Sequence, residues 1–208
     1  MTRIINISRD KIKNKELFEI STLLIIHRGD DMNPTERFNL LVTFKGHKTS
    51  EAGEELLGIE EIELALQDEK NLFDVKETEF QNVVLIESGS DPLLIKQKLA
   101  DAPTTVISKI VPIELVVRTR PDLIAEKVST ISRDKIKSGK TFIVRGDIRG
   151  REHIKSKEDF LNSISQEITE KLGIEMDEHN PDWIIQIEVV GENTGISVLK
   201  SENFIKKL

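Results

Sequence analysis

TFIVRGDIRGREHIKSKEDFLNSISQEITEKLG, Thr141–Gly173, reads as a strand, a basic loop and a capped helix in direct succession. Phe142, Val144 and Ile148 point one way and Ile143, Arg145, Asp147 and Arg149 the other, the period-two pattern of a strand with one buried face. Phe160, Ile164, Ile168 and Leu172 then recur every four residues, the apolar stripe of an amphipathic helix. Ser156 occupies the N-cap position, with Asp159 three residues on in a near capping-box arrangement. Gly173 stands where a left-handed C-cap belongs.

The pattern continues on both sides. Asn180-Pro181-Asp182 is a turn whose polar side chains are expected to bond local backbone, and it leads into WIIQIEVV, with Trp183, Ile185, Ile187 and Val189 on one face. TGISVLK supplies a last strand. Upstream, IELVV is strand-like, and Pro121 starts a helix carrying Ile124, Val128 and Ile131, closed off by Gly139. Everything after Pro112 therefore forms one α/β unit.

A second unit precedes it. NLLVTF from Asn39 places Leu40, Val42 and Phe44 on one face, and a helical stretch from about Ser50 to Leu66 is expected to weaken near Gly58. FDVKETEF and VVLIES read as strands joined at Gln81-Asn82. Asp91-Pro92 opens a helix, Asp capping and Pro at its first position, and a strand follows from Thr105 to about Val111. The order β-α-β-β-α-β is that of a ferredoxin-like unit. ISRDKIK occurs at 7–13 and again at 131–137, but the flanks differ and no domain repeat is implied.

Composition narrows the function classes. The 208 residues are 38% hydrophobic and 32% charged, with no apolar run near the roughly 20 residues of a membrane span and no signal-peptide pattern. The absence of cysteine removes disulfides, thiolate nucleophiles and cysteine-held zinc or iron–sulfur sites, and fits a reducing, cytoplasmic setting. The histidines, His27, His47, His153 and His179, are scattered, and no phosphate-binding glycine motif stands at the right spacing. Neither a catalytic role nor a cofactor is expected.

The net charge of −7 conceals a division. Residues 38–100 hold 6 Lys+Arg against 13 Asp+Glu, whereas residues 101–157 hold 13 against 7. A basic segment inside an acidic chain can form a local anion-attracting face, or be a solvated surface. Within it, Arg145 and Arg149 share a strand face, and Arg151, Lys155 and Lys157 occupy the loop entering the capped helix. Strand, basic loop and helix N-terminus together suit phosphate, because free backbone N–H groups and planar guanidinium forks both pair with its oxygens. The opposing reading pairs Arg145 with Asp147 or Glu188 on the sheet surface and leaves Lys155 and Lys157 in water.

Beyond these elements lies a family resemblance. Phe142-Ile143-Val144-Arg145, Arg149-Gly150-Arg151, Ser156, Gly173, Asn180-Pro181-Asp182, Ile184–Val189 and Gly195-Ile196-Ser197-Val198 follow the order and spacing of a THUMP domain, and this half of the chain resembles that family over about 70 residues. FNLLVTFKGHKTSEAGEELL, ETEFQNVVLIES, DPLLIKQKL and ISKIVPIELVV are similar to stand-alone THUMP proteins that assist tRNA cytidine N4-acetylation. The resemblance implies an α/β (α+β) chain: an unassigned extension at 1–37, a ferredoxin-like domain at 38–111 and a THUMP domain at 112–208. It further implies a non-catalytic adaptor, since no catalytic domain follows in that group. Such an adaptor binds the tRNA acceptor stem and 3′ end, with Arg145, Arg149, Arg151, Lys155 and Lys157 on the RNA, and presents a cytidine to a tRNA cytidine acetyltransferase. Delivery to a different modifying enzyme is a variant of the same reading. A non-RNA alternative, a small-ligand sensor or assembly scaffold built of two ferredoxin-like units, shares the fold, which by itself does not choose between functions. The acidic 51–69 stretch is either a solvated helix face or a docking surface for a basic partner.

Overall fold

The computed structural model describes residues 33–46, 53–69, 71–150 and 152–203. The chain divides into Met1–Asn33 and Pro34–Leu208, and both sheets belong to the latter unit.

The first sheet is built from β1 (Leu40–Phe44), β2 (Phe73–Glu77), β3 (Val83–Ser88) and β4 (Ile107–Pro112), in the order β2-β3-β1-β4. Every neighbouring pair is antiparallel. With α1 (Gly53–Leu66) between β1 and β2 and α2 (Pro92–Asp101) between β3 and β4, this is the ferredoxin-like arrangement. Leu40, Val42, Phe44, Val84 and Ile86 face Ile62 and Leu66 of α1 and Ile95 and Leu99 of α2. Gly58 does not weaken α1: it lies buried mid-helix, and a Cβ there would sit 2.3 Å from the Phe44 ring. The missing side chain is the space that lets helix and strand approach.

Leu41 and Leu85 occupy the opposite face of this sheet and are buried as well, in a second cluster with Phe38, Val111, Ile113 and Val190. Val190 belongs to the second sheet, so an apolar layer joins the two sheets back to back. This explains why LLV in β1 is apolar on consecutive residues rather than alternating: the strand is covered on both sides.

The second sheet comprises β5 (Leu115–Arg118), β6 (Thr141–Arg149), β7 (Glu175–Met176), β8 (Trp183–Val190) and β9 (Asn193–Lys200), in the order β5-β9-β8-β6-β7. β6 runs parallel to β7 and β8; the other pairs are antiparallel. The two-residue β7 has no counterpart in the periodicity of the sequence, being too short to show one. α3 (Pro121–Lys135) and α4 (Lys157–Leu172) cover one face, packing Ile124, Val128, Phe160, Ile164 and Ile168 onto Phe142, Val144, Ile185, Ile187 and Val198. The caps of α4 are those the sequence predicts: Ser156 Oγ accepts from the Asp159 N–H at 3.2 Å, and Gly173 is left-handed at φ 64°. Asp91 likewise caps α2, accepting from the Leu93 N–H at 2.8 Å.

The acidic stretch on α1 turns out to be structural at several positions. Glu55 accepts from the Asn82 N–H at 3.0 Å and Glu61 from the Thr105 N–H at 2.7 Å, so these carboxylates tie the helix to loops at the sheet edge. Asp182 also differs from expectation. It reaches across to the Thr141 N–H (3.0 Å) and to Lys140 (3.0 Å), while Asp177 bonds the local turn through the His179 and Asn180 N–H groups. The Thr141 N–H and the Lys140 ammonium hold the Asp182 carboxyl below the usual carboxylate range.

Candidate nucleic-acid interface

The face of the second sheet turned away from its helices is polar where it leaves the shared apolar layer. Alternation along β6 puts Ile143, Arg145, Asp147 and Arg149 there, and alternation along β8 adds Ile184, Gln186, Glu188 and Val190. Glu188 has no solvent exposure. A bare carboxylate in that position would be very costly, and its partners show how the cost is met. Arg149 Nη1 donates to it at 2.7 Å, Gln186 Nε2 at 2.6 Å, and Lys109 of β4 donates from the other sheet. Lys109 also donates to Asp147 at 2.9 Å, and Lys157, the first residue of α4, donates to the other Asp147 oxygen at 2.8 Å. Burial pushes the Asp147 carboxyl up, but the hydrogen bonds from Lys157 and Lys109 outweigh it and hold the group far below the usual range.

Three cations and two carboxylates therefore form one network that locks β6, β8, α4 and β4 together. Two of the five residues singled out from the sequence, Arg149 and Lys157, belong to it. Arg149 is mostly buried, its side chain 17% exposed. Its nearest duty is to Glu188. Lys157 is half exposed, and its ammonium has donors beyond the one given to Asp147.

The remaining three stand differently. Arg145 shares the face, half buried beside Gln186, and its guanidinium forms no hydrogen bond or ion pair among the described residues. Lys155 is exposed and likewise unpaired among them. Arg151 lies outside the described residues. The pairing expected in the opposing reading does occur on this sheet, but it engages Arg149 rather than Arg145.

An open groove of about 460 Å³ runs beside the network, walled by Thr43, Phe44 and Asn82 of the first sheet and its turn, and by Asp147, Arg149 and Lys157 of the second. The start of α4 contributes less than the sequence suggests. Glu158 and Asp159 already complement its dipole in the first turn and would meet an incoming anion. The charge on offer is the excess cation of the network; Arg145 stands two residues before Asp147 on the same strand face and Lys155 two residues before Lys157, and neither lines the groove. Nothing in the sequence points to Lys109 as part of this site. It lies in the first sheet, and only the packing of the two sheets brings it here.

A candidate cation position also leaves no mark on the sequence pattern. Glu152, His153 and Glu192 offer ligand atoms within 4.8 Å of one another, with His153 Nε2 3.2 Å from Glu192. All three are exposed, and only the β8–β9 turn brings Glu192 to the other two. No described helix is long and apolar enough to cross a membrane.

Comparison with known proteins gives this geometry a context. The THUMP domain family model matches residues 118–199. Over 127 residues the chain is 28% identical to an uncharacterized protein of Methanocaldococcus jannaschii, a match covering 61% of this chain and 33% of that protein. Among solved structures, the Pyrococcus horikoshii protein PH1313 superposes with a TM-score of 0.63 at 17% identity, over 79% of this chain and 55% of the other. A 4-thiouridine synthetase, solved as an RNA complex with bound ATP, gives 0.53 at 15% identity over 78% and 41%. TrmN from Thermus thermophilus gives 0.51 at 16% over 78% and 45%. At these identities the structures share the fold, and the match spans a third to about half the length of each relative.

Proposed function

We propose that the chain, with its THUMP domain at residues 118–199 set behind a ferredoxin-like unit, is a tRNA-binding adaptor: it holds the acceptor stem and 3′ end and presents the tRNA to a separate modifying enzyme. The observation that carries this reading is the groove between the two sheets, lined by Arg149 and Lys157 of a network with one cation in excess, with Arg145 and Lys155 near it along the chain and unpaired among the described residues. A THUMP domain points to RNA, and a structural neighbour of this two-sheet arrangement was solved with RNA bound. Backbone recognition suits such a site, since an RNA end is read largely by shape and phosphate. The partner we favour is a tRNA cytidine N4-acetyltransferase, on the strength of the first unit's resemblance to accessory proteins of that reaction. The same reading makes the chain itself non-catalytic, cofactor-free and cytoplasmic.

The test is an electrophoretic tRNA shift across a salt series, with intact tRNA and tRNA lacking its 3′ single strand. The native chain is expected to bind with steep salt dependence. Arg145→Glu/Lys155→Glu should weaken binding and flatten the salt slope by about 1 for each phosphate that is no longer neutralised. No shift at low salt would sink the RNA reading and favour the sensor or scaffold. For the enzyme, acetylation of a tRNA by the candidate acetyltransferase should depend on adding this chain. A rate unchanged by its addition would separate the adaptor role from RNA binding.

A further inference from the structure

A second cationic groove, of about 450 Å³, lies at the opposite end of β6. Lys135 at the end of α3, Lys137 and Lys140 in the turn before β6, and Lys200 at the end of β9 line it, together with Trp183 and Asp182. Pairing of Trp183 with Phe142 on one side and Lys200 on the other fixes this place at the start of β6 and β8. Arg149 lies at the far end of β6, roughly 23 Å from Phe142 at the usual rise of a strand. The two basic sites are therefore distinct.

The lysines are unequally committed. Lys135 donates to Glu114 and to the Val198 carbonyl, and Lys140 lies 3.0 Å from Asp182. Lys200 is 3.5 Å from Glu202, and both of these side chains are more than half exposed, so water screens the pair. Among the described residues Lys137 reaches only a backbone carbonyl, that of Asp134, at 3.4 Å. The positive end of the groove is thus held by Lys137 and Lys200. Between them and the core stands Trp183, partly buried against the helix-side cluster and otherwise open to the groove. An indole beside exposed, weakly committed ammonium groups matches the way single-stranded nucleic acid is held: a base on the ring, its phosphates on the cations. A base inside a duplex has its faces covered by its neighbours, so stacking on such an indole requires an unpaired nucleotide.

We propose that this groove binds an unpaired RNA nucleotide, its base stacked on Trp183 and its flanking phosphates on Lys137 and Lys200. The proposal rests on the RNA-binding reading above and adds a second, separate contact to it.

Trp183 is the only tryptophan and the chain has no tyrosine, so emission excited at 295 nm reports on this groove alone. The experiment titrates the full chain with fluorescein-labelled hexaadenylate, following anisotropy of the label and emission of the protein. A blunt RNA duplex and inorganic phosphate are titrated in parallel. Hexaadenylate is expected to quench Trp183, while duplex and phosphate leave it unchanged. Lys137→Glu/Lys200→Glu should weaken hexaadenylate at least tenfold, with the thermal melt preserved because both side chains are exposed. Trp183→Leu, which keeps an apolar side chain against the core, should weaken it by roughly five- to a hundredfold. Hexaadenylate binding that leaves the emission silent and ignores both variants overturns the proposal. If tRNA still shifts in an Arg145- and Lys155-dependent way, that failure is confined to this groove. If neither hexaadenylate nor tRNA binds the native chain, the RNA reading falls with it.

Discussion

Glu188 and Arg149 have to be considered together, because Arg149 is one of three donors to a fully buried carboxylate. Arg149→Glu would set a carboxylate against fully buried Glu188, and breaking such a pair costs about 3–5 kcal/mol. We expect a large fall in melting temperature for Arg149→Glu and almost none for Arg145→Glu, measured by circular dichroism. Loss of RNA binding in the former would then report on folding, whereas loss in the latter would report on the interface. Asp147 supplies a pH test at the same scale. Its folded pKa lies below its unfolded value of about 3.9, so the stability it contributes is present above that value and is lost as pH falls below it. The gap in melting temperature between the native chain and Asp147→Asn should be widest near neutrality, begin to narrow below about pH 4, and close only as the pH falls through the far lower folded value. The side chain is 41% exposed, which keeps the gap small. A gap that widens in acid would contradict the depressed pKa.

At the scale of the element, α1 and α4 show what local sequence can and cannot convey. Ser156 and Gly173 bound α4 through caps whose chemistry is contained within a few residues, so both are legible without the fold. Ser156→Ala should cost about 1 kcal/mol in chemical denaturation. Gly58 is the contrary case. Helix propensity marks it as a weak point, but its function is set by Phe44, fourteen residues earlier in the chain and in contact only after folding. Gly58→Ala, favourable by propensity, should therefore destabilise by about 1–3 kcal/mol through overpacking. A stabilised Gly58→Ala variant would mean that the Phe44 ring moves aside at little cost. The same limit applies to Glu55 and Glu61, which read as surface charge in a helical pattern and serve as acceptors for backbone N–H groups of distant loops.

The whole molecule is held by what lies between its sheets. Leu41, Leu85, Val111, Ile113 and Val190 form one apolar layer, Lys109 bridges from β4 to Asp147 and Glu188, and Lys96 of α2 donates to the Asn203 carbonyl beyond β9. Neither sheet can separate without exposing these groups, so calorimetry should show a single cooperative transition for residues 34–208. Leu41→Ala, at a position with no solvent exposure, should lower that transition as a whole by about 2–5 kcal/mol. Two resolved transitions, with only the first sheet affected, would show that the layer contributes little. The groove beside Arg149 is walled from both of the sheets that this layer joins.

The order of elements, the helix caps and the cationic character of residues 141–157 were determined by the sequence itself, because periodicity, capping and charge are properties of residues close together along the chain. Periodicity also marked β6 with one apolar and one polar face. What the polar face does was decided only in three dimensions. Arg145 and Arg149 lie on the same face of one strand and look equivalent, but β8 places buried Glu188 beside Arg149, and β4 brings Lys109 to the same carboxylate. Trp183, Lys137 and Lys200 likewise become neighbours only when β8 and β9 pair at the end of α3. A charge in a linear pattern carries no information about the partner that will neutralise it. Long-range pairing supplies that partner, and so decides which cations are structural and which remain for a ligand.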